Sequence, residues 1–146
     1  MPSLIKLLAA AAIGTALATG AYAQDKGAET QLLAVQNEAA PKLIVDAPLA
    51  GPLARGAVLI PYHVENLRIL PVTGSAAANV SPRVGHLHIT VDDLPWHWAQ
   101  FSNDGTIVVV GLPVGSHNVK IELASPEHHV YTGKTVDFVV PVQAAG

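Results

Sequence analysis

Beyond residue 41 this chain never runs far without a proline or a glycine, and between those breaks β-branched and aliphatic residues dominate. Such punctuation suits short strands joined by turns and leaves no room for long helices. Seven candidate strands fall at residues 42–45, 57–64, 67–72, 85–92, 106–110, 118–123 and 135–140. Strand side chains alternate between the two faces of a sheet. In residues 85–92, Leu87, Ile89 and Val91 therefore share one face, and His86, His88, Thr90 and Asp92 share the other. The apolar row is expected in the core, together with Val119, Ile121 and Phe138. Residues 106–110 form an unbroken apolar run, as in a strand buried on both faces. Gly111-Leu112-Pro113-Val114-Gly115 supplies turn chemistry before the sixth strand. The expected fold class is all-β, an immunoglobulin-like β-sandwich of about seven strands, with a small barrel as the alternative.

The N-terminus reads differently. Lys6 precedes an apolar run over residues 7–18, and Ala21-Tyr22-Ala23 has the small-x-small form read by signal peptidase. The run is shorter than the roughly 20 apolar residues needed to cross a bilayer. Residues 1–23 are thus expected to be a cleavable signal peptide, residues 24–40 a flexible leader, and residues 41–142 the β-sandwich domain. The address is the periplasm or the medium. No later segment is long enough to span a membrane. A net charge of −3 without a basic stripe argues against nucleic acid as a partner. Cysteine is absent, so packing, or packing with a bound ion, must stabilise the domain.

All seven histidines lie between residues 63 and 129. His86 and His88 stand at i and i+2 of the best strand, with Cα atoms roughly 7 Å apart. From there both rings can converge on one ion at about 2.0–2.1 Å per nitrogen. His97 lies in Pro95-Trp96-His97-Trp98, which reads either as a ligand loop or as a hydrophobic plug with His97 in solvent. His128 and His129 follow Ser125-Pro126-Glu127, and at most one of two adjacent residues is expected to ligate. The candidate metal ligands are therefore His86, His88, His97, His128 and His129. His117 reads as a boundary residue against the core, and His63 alone carries little meaning.

Without cysteine, and with Met1 inside the signal, soft sulfur donors are missing. Nitrogen and carboxylate donors suit Cu(II), Zn²⁺ or Ni²⁺, with Asp92, Asp93 or Glu127 as possible oxygen ligands or supporting groups. Affinity is expected to weaken as pH falls through about 6, where free imidazoles protonate. Nucleophile-elbow, zinc-protease, phosphate-loop and dinucleotide motifs are all absent. No residue is nominated as catalytic, and enzyme activity would have to run through a metal at the histidines. Two main readings stand side by side: a metal-binding module with Cu(II) or Zn²⁺, and a metal-free interaction or structural domain whose protein partner the sequence does not name.

Gly85-His86-Leu87-His88-Ile89, Asp92-Asp93 and Pro95-Trp96-His97-Trp98, with Gly111-Leu112-Pro113-x-Gly115-x-His117 and the Glu127-His128 region, resemble a family of small exported bacterial proteins. That family is known as a domain of unknown function, and the likeness extends over residues 41 to 141. It implies the domain boundaries and the exported setting, and no activity. The His-x-His strand also looks superficially like that of copper–zinc superoxide dismutases. The cysteine pair and the glycine-rich ligand pattern of those enzymes are missing, so their activity does not carry over.

Overall fold

The computed structural model describes residues 33–34, 37–92, 94–95 and 97–143. The expected signal peptide, most of the leader, Asp93 and Trp96 lie outside the described residues. In chain order the elements are β1 (Leu33–Ala34), β2 (Lys42–Val45), α1 (Ala50–Leu53), β3 (Ala57–Glu65), β4 (Arg68–Ile69), α2 (Ser75–Ala78), β5 (Val80–Ser81), β6 (Val84–Val91), β7 (His97–Gln100), β8 (Thr106–Val110), β9 (Gly115–Ala124) and β10 (Val130–Val140). Each of the two helices is a single turn of four residues.

Two larger sheets form a sandwich-like, mostly β arrangement. One has three strands in the order β2-β3-β8, all antiparallel. The other has five: β10-β9-β6-β4, with β7 also on β6. Among the described strands only β4 runs parallel to its neighbour, pairing Arg68 and Ile69 with Val84 and Gly85. β1 and β5 make a separate two-residue ladder. Nearby, Glu38 accepts hydrogen bonds from the Ser81 hydroxyl and the Arg83 amide.

The core lies between the inner faces of the two larger sheets. Leu43, Val58, Ile60, Tyr62, Ile107 and Val109 come from one sheet. Leu87, Ile89, Val91, Val119, Ile121, Leu123, Phe138 and Val140 come from the other. The alternation in residues 85–92 thus identified the inward row correctly, as did the choice of Val119, Ile121 and Phe138. Each large aliphatic side chain removed from water here contributes about 1.5–3 kcal/mol.

Three local expectations need correction. Residues 106–110 are not buried on both faces: Val108 and Val110 are 56% and 69% exposed. β8 lies at the edge of its sheet and nothing among the described residues covers its outer face, so only Ile107 and Val109 pack inward. Residues 67–72 form only the short β4, because the chain turns away after Leu70 through a Val72 N–H to Leu70 carbonyl bond of 2.8 Å. The segment after Pro95 continues as a strand, β7, which pairs His97 to Gln100 with Thr90 to Leu87. Trp98 there packs against the core, as the plug reading requires of it.

His117, expected as a boundary residue against the core, also ties one end of the sandwich together. Its Nδ1 lies 2.7 Å from an Asp92 carboxylate oxygen, and its Nε2 lies 2.8 Å from the Pro113 carbonyl. Both partners are acceptors, so the two contacts are satisfied together only by the imidazolium form, in which both ring nitrogens donate. The Asp92 hydrogen bond, helped by the Pro113 carbonyl, raises the His117 pKa above its ordinary value. Burial pushes the Asp92 carboxyl up, but the bonds from His117 and the Asn118 amide outweigh it, and its pKa is lowered. The pair is therefore fully stabilising between the unfolded values of the two groups, 3.8 and 6.5. It weakens as pH rises through the raised His117 pKa, or falls through the lowered Asp92 pKa. Asp92 has a left-handed backbone (φ +52°) that asparagine also tolerates, so Asp92→Asn isolates the charge. The substitution should cost about 1.5–3 kcal/mol near pH 5.5, as loss of a hydrogen bond to a charged group does. Urea unfolding at a series of pH values should show that cost shrinking above the His117 pKa. A cost independent of pH would mean the imidazolium is not the partner.

Candidate metal centre

β6 presents His86 and His88 on the face opposite the core row, where strand alternation places them. Gly85, immediately before them, is required by packing. A Cβ there would run into the Ala124 carbonyl of β9 and approach Leu67 Cδ1 at 3.1 Å. The glycine lets β6 approach β9 closely at the point where His86 pairs with Ala124. The chain after β7 returns over this end of the sheet, and the Phe101 ring lies 4.8 Å from the His86 ring. His86 is consequently 0% exposed, a buried residue on what alternation alone marks as the outer face.

The third histidine comes from the loop joining β9 to β10. Ser125 is buried and organises that loop. Its hydroxyl accepts hydrogen bonds from the amides of Glu127 and His129, at 3.2 and 3.1 Å. Its own amide donates to the His129 carbonyl at 2.9 Å, and its carbonyl accepts from the His128 amide at 2.9 Å. This turn holds His128 in the left-handed region, φ +65°, a conformation uncommon outside glycine though commoner for Asn, Asp and His. Residues held this way cluster at ligand clamps and active sites.

The result is a compact triangle of nitrogens. His86 Nε2 lies 2.9 Å from His88 Nε2 and 3.1 Å from His128 Nδ1, and the last two are 3.0 Å apart. These three residues are the metal-competent group among the described residues. A neutral imidazole nitrogen is either a donor or an acceptor. Among three nitrogens in mutual contact, two must be of the same kind, so at least one contact opposes two lone pairs or two N–H groups. A cation that accepts all three lone pairs removes the conflict.

Burial, and then the nearby His88 and His128, push the His86 pKa down to about 4. The His88 pKa is also lowered, by burial and by His128 and His97, against an opposing pull from Glu122. Both shifts favour the neutral ring, the form that ligates metal. The expected loss of affinity through about pH 6 is accordingly displaced to lower pH for these two ligands. His86 Nδ1 is buried without a hydrogen-bond partner among the described residues. When Nε2 offers its lone pair, Nδ1 carries the proton, and an unmade buried bond costs about 1–3 kcal/mol. A leucine would fill the space without that cost.

The remaining candidates lie outside the triangle. His97 pairs with Thr90 at the exposed end of β7, with its Nδ1 3.0 Å from the Pro95 carbonyl. His129 is exposed and contributes its backbone to the Ser125 turn. His63 is exposed on β3, on the other sheet. Asp92 is bonded to His117 rather than to the cluster. Two supporting residues had no sequence signal, Phe101 and Ser125. A third, Glu122, sits opposite His88 in the β6–β9 register, on the same face; its position is readable once that pairing is known.

Fold and site together define a small, mostly β domain carrying a three-histidine cluster able to hold a metal. The chain belongs to DUF6130, a family of unknown function whose model matches residues 1–146. No curated protein and no solved structure matches it. Among the described residues, no helix is long and apolar enough to cross a membrane.

Proposed function

We propose that this protein is an exported metal-binding module that holds one Cu(II) or Zn²⁺ ion through His86 Nε2, His88 Nε2 and His128 Nδ1. The observation that carries the reading is the triangle itself. Three imidazole nitrogens within 3.1 Å of one another cannot all be satisfied by hydrogen bonds among themselves. Imidazole is a good donor to both ions, and both accept three nitrogen ligands. In this reading His97, on the same sheet face as His88, and His129, whose amide bonds to Ser125 in the loop that carries His128, are not ligands. Export rests on the signal-like residues 1–23. We retain the immunoglobulin-like sandwich over the small barrel because the core is shared between two separate sheets.

Titration calorimetry of tag-free protein with Zn²⁺ and with Cu(II) at neutral pH tests the reading. One ion per chain is expected. The control is His88→Ala combined with His128→Asn; asparagine keeps the left-handed turn residue while removing the ring. Equal binding by wild type and control would leave the metal-free interaction domain as the better account.

A further inference from the structure

The geometry points to a centre that is open on one side, so that the bound ion takes a small anion from solution as an additional ligand. This inference rests on the proposed metal site and names what the site does with its ion.

The triangle is small. With sides of 2.9, 3.0 and 3.1 Å, an ion about 2.0–2.1 Å from each nitrogen lies about 1.1 Å out of their plane. The nitrogen–ion–nitrogen angles are then about 95°, closer to those on one face of an octahedron or square pyramid than to a tetrahedron. Three donors crowded onto one face leave the opposite side of the ion for other ligands.

That side can be located. Exposure rises across the cluster from His86, wholly buried beneath Phe101, through half-buried His88 to exposed His128. His86 is the floor and His128 the rim, so the cluster opens to solvent on the His128 side.

Charge selects the ligand. Three neutral imidazoles leave the full 2+ charge of the ion in a half-buried setting, where an uncompensated charge is costly. An anion offsets it. A protein carboxylate close to the cluster is Glu122, opposite His88 in the β6–β9 register, its side chain 21% exposed. Its carboxylate is held instead by Lys120, at 2.8 Å. Glu122 therefore acts as a nearby negative charge that opposes anion entry, while the coordination position itself remains exchangeable.

The test uses the full-length mature protein loaded with Co(II), whose visible spectrum reports ligand number and exchange, and azide as the probe anion. Azide should change the spectrum saturably, with one azide per cobalt, and Glu122→Gln should tighten that response severalfold by removing the opposing charge. A Co(II) spectrum that azide leaves unchanged in both proteins would overturn the open site while leaving metal binding intact. A response in Glu122→Gln alone would also overturn it, by showing that Glu122 closes the centre. Failure to take up Co(II), Zn²⁺ or Cu(II) at all would sink the metal reading and this inference with it.

Discussion

His86→Leu is expected to abolish metal binding while leaving the metal-free domain at least as stable as the wild type. His86 is the buried member of the triangle, and its Nε2 touches both other nitrogens. Loss of a group that merely supports a ligand lowers metal affinity about 10–100-fold, so loss of the ligand itself should cost more. The metal-free protein has the opposite balance. The histidine leaves Nδ1 buried and unpartnered among the described residues, a cost of about 1–3 kcal/mol that leucine does not carry. Its lowered pKa adds a pH dependence of definite sign. Below the unfolded value of 6.5 the unfolded ring binds a proton and the folded ring does not, until about pH 4. The wild type therefore loses stability from this residue as pH falls across that window, and the leucine variant does not. Chemical denaturation with and without Zn²⁺ checks both halves. At a free ion concentration a hundred times Kd the wild type should gain about 2.7 kcal/mol, and the variant nothing. An equal gain in both proteins would remove His86 from the site.

A second large effect is expected in the core. Leu87→Ala and Ile121→Ala should each cost about 2–5 kcal/mol, because both side chains are wholly buried and a cavity would remain. Val108→Ala should stay within about 0.5 kcal/mol, although it lies in the most continuously apolar strand, because its side chain faces outward. Urea unfolding of the three variants under one set of conditions decides the point. Similar losses at Val108 and Leu87 would mean that the outer face of β8 is covered in solution.

The metal and core predictions separate two kinds of information along one strand. In β6 the alternation of Leu87, Ile89 and Val91 with His86, His88 and Thr90 was enough to assign faces, because a strand's period of two is local geometry. In β8 the same reasoning had nothing to work on. Thr106-Ile107-Val108-Val109-Val110 is apolar on both faces, and a valine at a sheet edge is spelled like a valine at its centre. What exposes Val108 and Val110 is that nothing among the described residues packs on the outer face of the β2-β3-β8 sheet.

The histidines divide in the same way. The i, i+2 spacing already placed His86 and His88 on one face, and two neighbouring imidazoles were readable as a metal pair before any fold was known. That His128 rather than His97 or His129 closes the triangle was not readable. It depends on the turn set by Ser125 and on the left-handed backbone at His128, 42 and 40 residues from its two partners along the chain. The burial of His86 was equally hidden, since alternation says which way a side chain points but not what lies above it. Phe101 covers that ring only because β7 folds back along β6. Sequence by itself thus determined the strand character, the inward row and the first two histidines of the triangle, all set by neighbours within a few residues. Tertiary structure alone decided the third histidine, the depth of the cluster and its shifted proton affinities, because each arises from groups that only chain folding brings together.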